Sequence, residues 1–235
     1  MDNKTLAEMG EEMKPKLLDL FCGAGGASMG YHRAGFEVEG VDIEPQPHYP
    51  FKFYQADALE FPLEGYDAYH ASPPCKADNQ GVICRPKFEN ARAKYKRLII
   101  PTRELLLSTG KPFIIENVPL ARNQLRNPIM LCGTHFGLRL KRHRYFELHG
   151  FEILFAPAGC GCKGKAGYTA ASNGFSSFKN GAKLISVAGH NFAVADARVA
   201  MGMDWSGQEG LSQAIPPAYT EYIGKYLMGV LNDHS

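Results

Sequence analysis

Lys16–Gly35, KLLDLFCGAGGASMGYHRAG, joins a short apolar run to a glycine-rich loop and a helix-compatible segment that stops at Gly35. That order reads as strand, loop, helix, the opening unit of an α/β sheet. Gly23, Gly25 and Gly26 let the backbone approach a ligand without side-chain obstruction, and the N–H groups at the following helix start face the same space. Phe36–Val41 reads as a second strand, ending in Asp42 about 20 residues after the loop, where an acid can accept both hydroxyls of a ribose. The loop lacks a Walker lysine, and its G-x-G-G is not the dinucleotide fingerprint, so a nucleoside cofactor without a pyrophosphate suits it better. Asp57, in QADAL after a third strand candidate, is either a partner for an adenine amino group or an ordinary turn aspartate.

Asp67–Gln80, DAYHASPPCKADNQ, repeats the pattern of a strand delivering a loop. Pro73 and Pro74 forbid both helix and ladder, so the strand stops and a stiff turn carries Cys75 at its tip. A thiol just past the carboxyl end of a strand lies where open α/β sheets process ligands, although free cysteines are as often small buried hydrophobes. Gly110 and Pro112 close a helix that runs to about Ser108, and FIIENV follows as a further strand with Glu116 and Asn117 at its end. A buried carboxylate there has a raised pKa and can hold a proton near neutrality, or else it is a salt-bridged structural glutamate. Gly133–Phe136 and Tyr145–Leu148 are the next strand candidates. Arg142 and Arg144 lie two apart between them, so an extended chain puts both on one face.

With 235 residues, 45% of them hydrophobic, the chain can bury a real core, most simply one domain with a minor lobe. Six irregularly spaced cysteines suit a reducing cytoplasm better than a disulfide framework. Neither a secretory signal nor an apolar run of membrane-spanning length is present, so a cytoplasmic protein without membrane contact, working as a monomer, is expected. The net charge of +2 hides a segregation: residues 1–70 carry 5 Lys and Arg against 13 Asp and Glu, residues 71–189 carry 19 against 6, and the rest 2 against 5. A basic central block is the footprint of a polyanion partner, since cations that neutralise phosphates release counterions.

Residues 150–189 are rich in Gly, Ser, Lys and aromatics and read as a loop-built lobe suited to backbone contact and groove insertion. Cys160 and Cys162, with Cys132 and His149 as further candidates, have zinc-ligand chemistry. A C-x-C pair without a second pair at metal spacing is a weak signal, and no metal is expected. ADARVAMGMDW then reads as a short helix and Pro217–Leu231 as a closing one that covers the core.

DLFCGAGG, SPPC, ENV, KRHR and QAIPP, in this order over nearly the whole chain, resemble the motifs of the cytosine-C5 DNA methyltransferase family, in a compact, phage-like form. The resemblance implies an α/β, Rossmann-like, S-adenosylmethionine-dependent methyltransferase fold: a mixed, mostly parallel sheet with helices on both faces, plus a small loop-rich recognition lobe. It divides the chain into a flexible leader (1–15), a catalytic and cofactor-binding core (16–148), a target-recognition lobe (149–194) and C-terminal helices returning to the core (195–235). By the same resemblance Asp19, Phe21, Gly23, Ala24, Gly25 and Gly26 line the S-adenosylmethionine pocket. Asp42 holds the ribose, Ile43 lies against the adenine, Asp57 and Ala58 meet its amino group, and Pro73 and Gln213 complete the set. Cys75 is the nucleophile that adds to C6 of a flipped cytosine, Glu116 contacts N3 and the exocyclic amine, and Arg144 faces O2 with Arg142 beside it. Lys76, Arg85, Lys87, Lys163 and Lys165 are the expected contacts to double-stranded DNA, and protection of phage or mobile-element DNA from restriction is the role that analogy suggests.

The chain departs from the family pattern in having Lys76 where a glutamine is usual, and Ser212 and Gln213 where Gly-Asn is usual. Its lobe of about 50 residues is short, so a short target sequence is expected, because fewer base-edge contacts specify fewer positions. The same chemistry on an RNA cytosine and a catalytically inert DNA-binding relative are the two alternatives.

Overall fold

The computed structural model describes residues 14–74, 98–157, 159–162 and 184–233. Cys75, Lys76, Arg85, Lys87, Lys163 and Lys165 lie outside the described residues, as does nearly all of the leader. A seven-stranded sheet runs through the molecule: β1 (Lys16–Leu20), β2 (Glu37–Asp42), β3 (Lys52–Gln55), β4 (Ala68–Ala71), β5 (Phe113–Asn117), β6 (Ile129–Leu131) and β7 (Arg144–His149). Their order is β3-β2-β1-β4-β5-β7-β6. The first five are parallel, and β7 inserts antiparallel to both β5 and β6.

Both faces of the central strands are covered, which is why LLDL and FIIEN are nearly continuous apolar runs. Side chains alternate between two cores. Leu17 and Ile114 join Tyr31, Phe36, Phe146, Tyr219, Ile223 and Leu227 beneath α1 (Gly26–Arg33) and α5 (Pro217–Asn232). Leu18, Leu20, Phe113 and Ile115 join Val41, Tyr69 and Leu106 on the other face, beneath α2 (Ile99–Leu107). The helices α1 and α5 touch at their backbones: a Cβ on Gly30 would fall on Thr220 Oγ1 and the Pro217 carbonyl, and Thr220 Oγ1 donates to the Ala27 carbonyl at 2.8 Å. A third cluster gathers Leu140, Ile185, Val187 and Phe192 with α3 (Val194–Met201) and α4 (Gln208–Gln213).

Two assignments from the sequence are corrected. Gly133–Phe136 is a 3-10 helix, and the edge strand is the preceding Ile129–Leu131. Thr134 and Phe136 favour strands by composition, whereas three residues of β6 are too few to show a period. The second concerns the helix read from ADARVAMGMDW: α3 stops at Gly202, whose φ of 69° places it in the left-handed region that ends helices. Met203–Trp205 therefore lead by loop into α4, a helix the sequence pattern does not announce.

Candidate active site

Parallel strands β1, β4 and β5 are neighbours, so the segments leaving their carboxyl ends converge on one edge of the sheet. The first is the glycine loop. Phe21, half-buried, has φ 57°, a costly conformation for an aromatic residue that turns the chain sharply off β1. Gly23 has φ 50°, and the position its Cβ would take is open space. Its N–H donates to Asp42 Oδ2 at 2.9 Å, and Glu44 N–H donates to Asp42 Oδ1 at 3.0 Å, so Asp42 ties the loop to the turn after β2. Each of those oxygens keeps a second lone pair for a hydroxyl. Ile43 beside it is 62% exposed, an apolar side chain open to solvent among the described residues. Asp57, exposed, accepts the Leu59 N–H at 2.9 Å in a local turn, while Ala58 is buried in the second core.

Gly26 and Gly25 serve the protein before any ligand: a Cβ on Gly26 would fall on the Ile215 carbonyl, and one on Gly25 would meet Pro50 at 2.8 Å. Ala24 is held from the far end of the chain, where Trp205 Nε1 donates to its carbonyl at 2.8 Å. Helix α4 lies against the same loop, since a Cβ on Gly210 would come within 2.8 Å of Ala24. This brings the exposed Gln213 to the loop's neighbourhood.

Beneath the loop, Asp19 is fully buried. Ser28 Oγ donates to its Oδ2 at 2.5 Å, and Tyr49 OH donates to Ser28 Oγ at 2.8 Å, but Asp19 Oδ1 has no partner among the described residues. Burial raises its pKa to about 7 against the Ser28 bond, with the Asp42 and Glu116 charges adding to the rise. Folding therefore makes the proton harder to lose than in the unfolded chain, where the ordinary value is 3.8. Asp19 stabilises least when ionised, so its contribution falls as pH rises from about 4 to about 7 and is level above that. Asp19→Asn, which keeps an acceptor for Ser28, should gain on the wild type as pH rises from 5 to 8. Melting temperatures measured across that range check this, and parallel curves would refute it.

The second and third segments meet at the Pro-Pro turn. Asn117 Nδ2 donates to the Pro73 carbonyl at 2.9 Å, which fastens the SPP segment to the end of β5. Next to it Glu116 is buried and paired, Arg144 Nε lying 2.9 Å from its Oε1. Burial raises the Glu116 pKa; Arg144, Arg142 and a hydrogen bond from Ser72 pull it back. Behind this pair runs a buried polar chain: Tyr31 OH to His70 Nδ1 at 2.9 Å, and His70 Nε2 to Ser72 Oγ at 2.9 Å. Burial drops the His70 pKa to about 3, so the ring is neutral and its two nitrogens take one donor and one acceptor role.

Arg142 and Arg144 have different partners. Strand β7 begins only at Arg144, so Arg142 precedes the ladder. The Arg142 guanidinium instead donates to the Val187 carbonyl and, at 2.8 Å, to the Ser212 carbonyl, tying the closing segment to the sheet. Its charge helps to lower the Glu116 pKa. The sequence reading overlooked the Asn117 hook, the Tyr31–His70–Ser72 chain and the Trp205 strap. Asn117 alone had a signal, as the polar residue ending an apolar strand.

No protein-family model and no curated protein matches the chain by sequence. Solved structures do. One is described as a DNA modification methyltransferase encoded within a prophage of E. coli: 17% identity, TM-score 0.63, 93% of this chain and 100% of that one. S. pombe methyltransferase Dnmt2 aligns at 14% identity with TM-score 0.62, over 94% of this chain and 100% of its own. Entamoeba histolytica methyltransferase EhMeth aligns at 15% identity with TM-score 0.59, over 94% and 99%. The chain thus has the mixed α/β, Rossmann-like fold found in these methyltransferases. Among the described residues, no helix is long and apolar enough to cross a membrane.

Proposed function

We propose that this chain is a DNA cytosine-C5 methyltransferase, using S-adenosylmethionine and a covalent Cys75 adduct on a flipped cytosine. The observation that carries the reading is the Asn117 hook on Pro73: it sets the turn leading to Cys75 beside the buried Glu116–Arg144 pair. The open space over Gly23, the unpartnered Asp19 Oδ1 and the exposed Ile43 fit a nucleoside cofactor held by Phe21, Gly23, Asp42, Ile43 and Asp57. When bound, S-adenosylmethionine supplies an electrophilic methyl group on sulfur.

The protein's own part is to make the cytosine accept that group. C5 is a poor nucleophile until a thiolate adds at C6 and makes an enamine. Cys75 forms that bond while Glu116 holds a proton at N3 and Arg144 its charge near O2. The methyl group then joins C5, a base removes the C5 proton, and the C6–sulfur bond breaks to return Cys75. The base must leave the duplex to reach the thiol, and Lys76, Arg85, Lys87, Lys163 and Lys165 supply cations for the backbone left behind.

The test is transfer of tritium from labelled S-adenosylmethionine to duplex DNA, with structured RNA alongside, and trapping on DNA that carries 5-fluorocytosine. Labelled duplex and a protein–DNA adduct stable to denaturation are expected. Label in RNA alone would move the reading to an RNA cytosine, and neither label nor adduct would leave a DNA-binding relative without activity.

A further inference from the structure

Three cysteines and a histidine from separate stretches converge on one point at the sheet's edge. Cys132 follows β6, His143 immediately precedes β7, and Cys160 and Cys162 sit in the loop beyond it. The three Sγ atoms and a ring nitrogen of His143 all lie within 4.8 Å of one another. His143 Nε2 is 3.1 Å from Cys162 Sγ and 3.3 Å from Cys160 Sγ, and the two sulfurs are 2.8 Å apart, with every thiol free. We infer that Cys132, His143, Cys160 and Cys162 bind a structural zinc ion, a site independent of the methyl-transfer reading above.

The donor set is the argument. Three thiols and an imidazole are soft and borderline ligands, the Cys3His combination of tetrahedral structural zinc, whereas the common iron–sulfur clusters carry four thiolates or, in Rieske centres, two histidines on one iron. A tetrahedron with zinc–sulfur bonds of about 2.3 Å has edges of about 3.8 Å. The observed donors, 2.8 Å apart at Cys160 and Cys162 and within 4.8 Å throughout, therefore need to part or close by no more than roughly an ångström to admit the ion. With four protein ligands no position is left for water, and Cys132 and Cys162 are buried against Leu184, so the site is closed. Supporting bonds are present too: Thr134 Oγ1 donates to Cys132 Sγ at 3.4 Å and accepts the Gly161 N–H at 3.1 Å, which steadies two ligand-bearing segments at once. His149, weighed as a ligand from the sequence, is exposed and stacked on Phe113 at 4.5 Å between ring centroids. His143 takes the position instead.

The ion has a clear task. His143 lies between Arg142 and Arg144, so fixing its ring fixes the segment that carries both guanidinium groups. Cys160 and Cys162 fasten the root of the loop-built lobe to the same point.

The measurement is metal content of the full chain, purified under reductant, by mass spectrometry, followed by cobalt(II) replacement read in the visible and near-ultraviolet. The expected result is about one zinc per chain and, with cobalt, the intense sulfur-to-metal band of a tetrahedral thiolate site. Cys160→Ser with Cys162→Ser should lose the metal. His143→Cys should keep it and strengthen the cobalt band, which separates lost ligation from lost folding. Stripping zinc from the wild type with a chelator should lower its melting temperature by several degrees, restored by zinc. Reduced wild-type protein that carries no zinc and gives no cobalt–thiolate band would overturn the assignment, as would full zinc content in the double serine variant.

Discussion

Glu116→Gln should slow methyl transfer to duplex DNA by about 10²- to 10⁴-fold, the usual worth of a positioned acid, and Cys75→Ala should abolish it. Both should keep affinity for duplex DNA close to that of the wild type, because neither side chain is a phosphate contact in the proposed mode. Glutamine retains the shape and a hydrogen-bonding oxygen but cannot donate a proton to N3 and leaves Arg144 without a counter-charge in a buried setting. The rate should also fall on the alkaline side in the wild type, since burial raises the Glu116 pKa and the proposed reaction uses its protonated form. Tritium incorporation by the two variants, with DNA binding measured in parallel, checks both. A Glu116→Gln protein at wild-type rate would remove Glu116 from the chemistry, and a methylating Cys75→Ala protein would remove the nucleophile.

The largest effect on stability should come from Arg103→Met. Arg103 Nε and Nη2 meet Glu147 Oε1 and Oε2 at 2.7 and 2.6 Å, Nη2 also donates to the Gln124 carbonyl at 2.6 Å, and the Arg126 N–H donates to Glu147 Oε2 at 2.8 Å. Both side chains are almost fully covered, 6% and 4% exposed. Removing one partner strands a buried carboxylate, at a cost of about 3–5 kcal/mol. For a chain of this size that lowers the melting temperature by about 6–20 °C. Arg103→Met with Glu147→Leu should recover most of the loss, because two apolar groups leave no charge behind. Thermal unfolding of the single and double variants decides it: a double variant as unstable as the single one would show that the pair itself, and not the stranded charge, holds α2 to β7.

The strands were legible because their chemistry is local. LLDL and FIIEN are buried on both faces and nearly all apolar, and only a central strand asks for that; glycines at positive φ and a proline pair mark where such strands end. Arg103 with Glu147, Asn117 with Pro73 and Trp205 with Ala24 join residues far apart in the chain, and no spacing rule announces them. Three members of the cysteine–histidine cluster, Cys132, Cys160 and Cys162, were visible in the sequence, while His143 becomes their neighbour only when β7 folds back beside β5 and β6.

Trp205 is the only tryptophan in the chain, and its indole is hydrogen-bonded to the loop that would cradle the cofactor. The protein's ultraviolet emission is therefore that of one ring in one known setting, and any rearrangement of Ala24 and its neighbours changes the colour of the light without a label being added.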